Sequence, residues 1–144
     1  MGYRYISIVK IILCALVGLG CIRDQEYILP HVSVDETLWL NNPSNIDLQI
    51  IGGIKTIDAG IKGIIIYRSS KDVFFAYEQS CPHIYPKRCS KMIINQDSFI
   101  AKCDCDNSTF WLLTGEPLTG NPTVGLKKYE VSYNSQYQTL HIYN

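Results

Sequence analysis

The sequence predicts an all-β domain assembled from hairpins, on three observations. Ten Tyr and a high share of Ile favour pleated, extended backbone. Short apolar runs alternate with clusters of Gly, Pro, Asn, Asp and Ser, which is the punctuation of strands and turns. No segment sustains the 3.6-residue apolar period of an amphipathic helix. At 144 residues the chain is long enough for one core and too short for two ordinary domains.

In chain order, residues 1–20 read as an export signal outside the fold. Arg4 and Lys10 form a basic start, and residues 11–19 are an apolar stretch too short to span a bilayer as a mature helix. Val17-Gly18-Leu19-Gly20 then leads into Cys21. A cysteine directly after such a stretch resembles a bacterial lipoprotein signal, in which Cys21 is lipidated and becomes the first residue. That implies a cell-envelope protein anchored to the membrane on its periplasmic or surface side. Residues 21–30 are then a tether closed by Pro30, and residues 31–144 form the domain.

Within the domain, residues 32–40 alternate loosely and predict a first strand. Asn41-Asn42-Pro43-Ser44-Asn45 is a turn cluster. Residues 46–51 fit a short strand stopped by Gly52-Gly53, and residues 54–57 fit another. Gly60-Ile61-Lys62-Gly63 turns into the β-branched run 64–68. Residues 69–72 connect it to its hairpin partner, 73–78. Residues 92–94 and 98–102 pair around Asn95-Gln96-Asp97. Residues 109–112 form the next strand, 114–122 are a breaker-rich loop, and 126–131 and 139–143 close the chain as a hairpin through Ser135.

Lys plus Arg and Asp plus Glu each total 13, giving a formal charge of zero, and no basic stripe is present. Nucleic-acid binding therefore has no electrostatic support. Gly52-Gly53 and Gly60-x-x-Gly63 are not a phosphate loop, because no Lys-Ser/Thr and helix start come after them. No Ser/His/Asp or Cys/His catalytic arrangement stands out, which favours an electron-transfer or binding protein over an enzyme acting by itself.

Of the six cysteines, Cys14 is lost with the signal and Cys21 carries lipid in this reading, leaving Cys81, Cys89, Cys103 and Cys105. Free thiols are unusual in an exported protein, so these four are expected to ligate metal, to pair, or both. Their setting is specific. Cys81-Pro82-His83 comes after one predicted strand, and Cys103-Asp104-Cys105-Asp106-Asn107-Ser108 after another, with nineteen residues between His83 and Cys103. Downstream come Phe110, Thr114-Gly115, Gly120-Asn121-Pro122, Leu126 and Tyr129.

The two cysteine boxes and this downstream segment resemble the Rieske [2Fe–2S] family, from Gly60 to the C-terminus. The Ile-rich strand before the first box is also similar to that of exported Rieske-like lipoproteins of the Bacteroides type. The resemblance implies a domain of small antiparallel sheets with two ligand-bearing loops, and one-electron transfer with a redox partner protein. It makes Cys81 and Cys103 the thiolate ligands of one iron and His83 an imidazole ligand of the other. It makes Ser108 a hydrogen-bond donor toward cluster sulfur, and it implies a disulfide between Cys89 and Cys105.

The chain departs from the family pattern at several places, among them the nineteen residues between His83 and Cys103, slightly more than usual. Asp106 stands where the second His ligand belongs, and Asn107 replaces the Gly after it. Cys89 lies eight residues after Cys81, a wider spacing than the family's. Three readings are open. A [2Fe–2S] cluster binds with Asp106 or another group completing the set. Alternatively the cluster is absent, and Cys81–Cys103 and Cys89–Cys105 staple a binding or structural module. In the third, Cys81, His83 and Cys103 hold zinc with Cys105 or Asp106. Elsewhere, His31 and His141 are isolated, Trp39 and Trp111 are expected in the core, and Lys87, Arg88 and Lys91 form a small basic patch read as a solvated loop.

Overall fold

The computed structural model describes residues 28–144. The predicted export signal, Cys21 and most of the predicted tether lie outside the described residues. Among those described, no helix is long and apolar enough to cross a membrane.

The fold is all-β, with two antiparallel sheets. The strands are β1 (Asp35–Trp39), β2 (Ile54–Ile57), β3 (Ile64–Arg68), β4 (Phe74–Glu78), β5 (Ile93–Asn95), β6 (Ile100–Lys102), β7 (Thr109–Trp111), β8 (Pro117–Thr119), β9 (Lys128–Asn134) and β10 (Thr139–Tyr143). Six of them form one sheet in the order β1-β10-β9-β4-β3-β2, and the other four form a second in the order β5-β6-β7-β8. Strand β9 joins the two halves of the large sheet. Its start pairs with β4 through Ala76–Tyr129 and Tyr77–Lys128, and its body pairs with β10.

Strand β3 shows why the core has two compartments. Every residue of Ile64–Arg68 is buried. Successive side chains of a strand point to opposite faces. Ile64 and Ile66 therefore pack with Leu38, Leu48, Phe74, Leu140 and Ile142. Ile65 and Tyr67 pack on the other side with Tyr77, Met92, Ala101, Phe110 and Leu112. Cys81 and Cys103 belong to this second compartment, so the cysteine loops are rooted in core rather than laid over it.

Four expectations are corrected. Residues 46–51 are not a strand, because the chain forms a 3₁₀ segment over Pro43–Gln49 instead. Asn42 Oδ1 accepts the Ser44 N–H at 3.0 Å and Pro43 stands at its first turn, a start signal that outweighs the apparent alternation of Ile46, Leu48 and Ile50. The buried Arg68 guanidinium holds this segment to the sheet, donating to the carbonyls of Leu48 and Gln49 at 2.9 Å each. Trp39 and Trp111 are not core residues: they are 55% and 39% exposed. Each comes directly after an inward-facing neighbour, Leu38 and Phe110, and the period of two turns it outward. The breaker-rich loop 114–122 contains β8, which pairs with β7 as an edge strand beginning at Pro117, a place where a missing N–H is tolerated. His141 is not isolated, since its Nε2 lies 2.7 Å from Asp35 Oδ1 and its ring stacks on Tyr143.

Candidate functional site

The first loop leaves β4 and returns to β5 through a closed neck. Met92 N–H donates to the Gln79 carbonyl at 2.9 Å, the Gln79 side-chain amide donates to the Met92 carbonyl at 2.9 Å, and Cys81 N–H donates to the Ser90 carbonyl at 2.8 Å. Ser90 Oγ donates to the Lys87 carbonyl at 2.9 Å and accepts the Lys87 N–H at 3.1 Å, closing the short 3₁₀ segment Arg88–Ser90 that carries Cys89. The second loop joins β6 to β7 and is tighter. Cys103 N–H donates to the Ser108 carbonyl at 2.8 Å and Asn107 N–H donates to the Cys103 carbonyl at 2.9 Å. Asn107 takes φ +63°, the left-handed conformation that Gly adopts freely and Asn tolerates best among other residues. The local backbone thus explains how Asn serves at this position.

Two disulfides tie the loops together. Cys81–Cys103 has a Cα–Cα separation of 5.6 Å and Cys89–Cys105 one of 5.0 Å, both within the ordinary range. Their environments differ. Cys81 and Cys103 are both 0% exposed, whereas Cys89 and Cys105 are partly exposed. The Sγ atoms of Cys81, Cys103 and Cys105 all lie within 4.8 Å of one another.

His83 and Asp106 meet beside this sulfur group, as a pair of their own. His83 Nε2 lies 2.7 Å from Asp106 Oδ2, linking the first loop to the second. Asp106 Oδ1 accepts from Ser108 Oγ at 2.8 Å and from Ser108 N–H at 3.0 Å. Ser108 is fully buried, and its hydroxyl is directed to Asp106. The His83 ring tilts against Phe110 with centroids 5.9 Å apart, and its Nδ1 is buried without a hydrogen-bond partner.

Partial burial alone would raise the Asp106 pKa, but the hydrogen bonds from His83 and Ser108 outweigh it and hold the carboxyl below its ordinary value. A carboxyl depressed in the folded state contributes stability above its unfolded pKa of about 4, and that contribution is lost as pH falls through the lower folded value. The stability difference between wild type and Asp106→Asn is therefore expected to be positive near neutral pH and to shrink toward zero in strong acid. Urea denaturation of both proteins across pH checks this, and a difference independent of pH would contradict it.

Two residues at this site have roles that the sequence alone does not show. Gly120, at φ +88°, lets the loop after β8 lie against Ser108: a Cβ there would stand 2.7 Å from Ser108 Cβ. Glu78, the last residue of β4, is 0% exposed and supports the start of the first loop by accepting the Ser80 N–H at 2.9 Å. The Gly-Asn-Pro run is visible as a breaker, but a lone carboxylate at a strand end has no pattern to mark it.

The donor set fits a [2Fe–2S] group in part. Cys81 and Cys103, here joined as a disulfide, meet between facing loops and would offer two thiolates once reduced, and an unpartnered, buried imidazole nitrogen fits the histidine requirement of such a centre. Asp106 fits less well, being a harder oxygen donor already engaged by His83 and Ser108.

No protein-family model matches the sequence, and no curated protein matches it. Among solved structures, the chain is similar to the ferredoxin of carbazole 1,9a-dioxygenase from Nocardioides aromaticivorans IC177. The identity is 16%, over 65% of this chain and 86% of that one, with a TM-score of 0.44. It is similar also to a chain from the complex of reduced oxygenase and oxidized ferredoxin in carbazole 1,9a-dioxygenase. There the identity is 24%, over 64% of this chain and 81% of that one, with a TM-score of 0.44. A third likeness is to a chain assigned as the small subunit of an NADH-dependent nitrite reductase from Mycobacterium tuberculosis, 14% identical over 79% of this chain and 97% of that one, with a TM-score of 0.45.

Proposed function

We propose that this chain is a Rieske-like [2Fe–2S] protein serving one-electron transfer. Cys81 and Cys103 would hold one iron in their reduced form, and His83 with Asp106 the other. One observation carries this reading: two facing loops bring a buried cysteine pair together, and the first of them also bears an imidazole whose buried Nδ1 has no partner. The group, when bound, supplies a reversible one-electron couple. The chain's own part is positional. Phe110 and the second core compartment keep water from the sulfur pair, Ser108 and His83 hold the Asp106 carboxylate in place, and Cys89–Cys105 braces the loops from outside. A carboxylate in place of an imidazole adds negative charge near the iron, which favours the oxidised state.

Anchoring at Cys21 to the membrane of a bacterial envelope belongs to the same proposal and rests on the sequence of residues 1–21. A redox partner with an acidic surface suits Lys87, Arg88 and Lys91, all exposed beside the first loop, because charge steers such encounters.

A second reading has an observation of its own. With Cys81 bonded to Cys103 and His83 to Asp106, the donors satisfy one another in pairs, as a cluster-free module stapled by two disulfides would require. Iron and acid-labile sulfide analysis with a visible spectrum, on protein prepared without oxygen, separates the two. The first reading expects about two irons and about two sulfides per chain. Colourless, iron-free protein with both cysteine pairs oxidised establishes the second.

A further inference from the structure

We propose that the four cysteines form a thiol–disulfide relay, in which Cys105 passes electrons from an external dithiol to the buried Cys81–Cys103 bridge. Exchange between disulfides requires a thiolate to reach a sulfur atom, so access limits the rate. Cys81 and Cys103 are 0% exposed and sit in the second core compartment, out of reach of an external thiol. The Cys89–Cys105 bridge is partly exposed and therefore open to attack. Cys105 joins the two environments. Its sulfur lies within 4.8 Å of both inner sulfurs, while its disulfide partner Cys89 stands on the partly exposed first loop.

The electrons balance in four exchanges. A thiolate of the external dithiol attacks Cys89 Sγ, breaking the outer bridge and leaving the electron pair on Cys105 Sγ. The Cys105 thiolate attacks Cys81 Sγ, forming a Cys81–Cys105 bond and releasing Cys103 as a thiolate that takes a proton from water. The second thiol of the external dithiol then closes its own disulfide and frees Cys89. Finally the Cys89 thiolate attacks Cys105, which restores the outer bridge and releases Cys81, protonated in turn. The external dithiol has been oxidised, and the inner pair has gained two electrons and two protons. Attack at Cys81 is favoured over Cys103, because a Cys103–Cys105 bond would close a tight ring across one residue.

The relay runs on protein sulfur alone and stands whether or not iron binds. Where a cluster is bound, it supplies the reduced Cys81 and Cys103 that the cluster needs. Without a cluster, it makes the inner bridge a store of two electrons addressed by a dithiol reductant.

Two variants test it, Cys89→Ser and Cys105→Ser. Both lose the outer bridge, so any general loosening of the loops acts on both alike. Only Cys89→Ser keeps the sulfur that lies beside the inner pair. Iron-free protein is treated with dithiothreitol, quenched with an alkylating agent at intervals, and mapped by peptide mass. The inner bridge is expected to open at least about tenfold faster in Cys89→Ser than in Cys105→Ser, since only the former keeps a thiol with internal access. In the wild type, a limiting amount of dithiol is expected to leave Cys81 and Cys103 alkylated and the outer bridge intact, by way of a Cys81–Cys105 disulfide trapped at early times. Equal rates in the two variants, or a wild type that passes through no Cys81–Cys105 disulfide, would overturn the relay. The trapped wild-type disulfide still decides the matter if a variant fails to fold.

Discussion

Replacing Cys81 and Cys103 together by Ala is expected to remove roughly 3–5 kcal/mol of stability from the oxidised protein. Two effects add. The inner bridge spans a sequence separation of 22, and releasing a loop of that length restores about 3 kcal/mol of unfolded-chain entropy. Both residues are also fully buried among Tyr77, Met92, Phe110 and Leu112, so each lost sulfur leaves a void in a packed compartment. The outer bridge spans 16 and its cysteines are partly exposed, so removing it forfeits the entropy and little packing. Cys89→Ala with Cys105→Ala is therefore expected to cost about 2–3 kcal/mol. Against a typical domain stability of about 5–15 kcal/mol, the inner change alone approaches the limit of folding. Urea denaturation of the two double variants measures the order. An inner pair no more costly than the outer one would mean that the second compartment holds together without its disulfide.

The same contrast between buried and partly exposed sulfur shows what can be read from the sequence. Strands β3 and β4 are legible because β-branched and aromatic runs there end at Gly60-x-x-Gly63 and Ser69-Ser70-Lys71-Asp72, so composition and punctuation agree. The loops bearing Cys81 and Cys103 are legible for a related reason, since each comes directly after a strand. The stretch after Asn42-Pro43 misleads because its isoleucines mimic alternation, while the capping residue that starts the 3₁₀ segment lies just before them. Trp39 and Trp111 mislead because hydrophobicity says nothing about which face of a strand a residue occupies; Leu38 and Phe110 hold the inner face. At the site, spacing marks the cysteines individually, but the close approach of Cys105 to the inner pair depends on how two loops fold against each other. The His83–Asp106 contact is of the same kind, joining residues 23 apart across that loop interface.

Glu78→Gln is expected to destabilise the protein by roughly 3 kcal/mol, although it changes neither the size nor the shape of the side chain. The Glu78 carboxylate is 0% exposed and is surrounded by donors. Oε2 accepts from the Ile61 N–H at 2.9 Å and from the Tyr129 hydroxyl at 2.7 Å, and Oε1 accepts from the Lys62 N–H at 3.0 Å and the Ser80 N–H at 2.9 Å. Gly60 lets the turn approach this carboxylate closely. Gly60 has φ +69°, and a Cβ there would stand 2.5 Å from Glu78 Oε2 and 2.7 Å from the Tyr129 hydroxyl. A Gln amide has only one oxygen, so its NH₂ would face donors that have lost their acceptor, and unsatisfied buried groups are costly. Burial and the bond to Glu78 together raise the Tyr129 phenol above its ordinary pKa, so it remains a neutral donor at physiological pH. Tyr129→Phe removes one donor and leaves three, and is expected to cost about 1.5–2 kcal/mol. Because Glu78 and Tyr129 share a bond, the double variant should cost less than the two single changes added together. Urea denaturation of the three variants measures this coupling. A Glu78→Gln protein as stable as wild type would show that the turn and the first loop hold their places without the carboxylate. A large loss would identify Glu78 as the joint between them, since the oxygen that accepts from Lys62 in the turn also accepts from Ser80, the residue before Cys81.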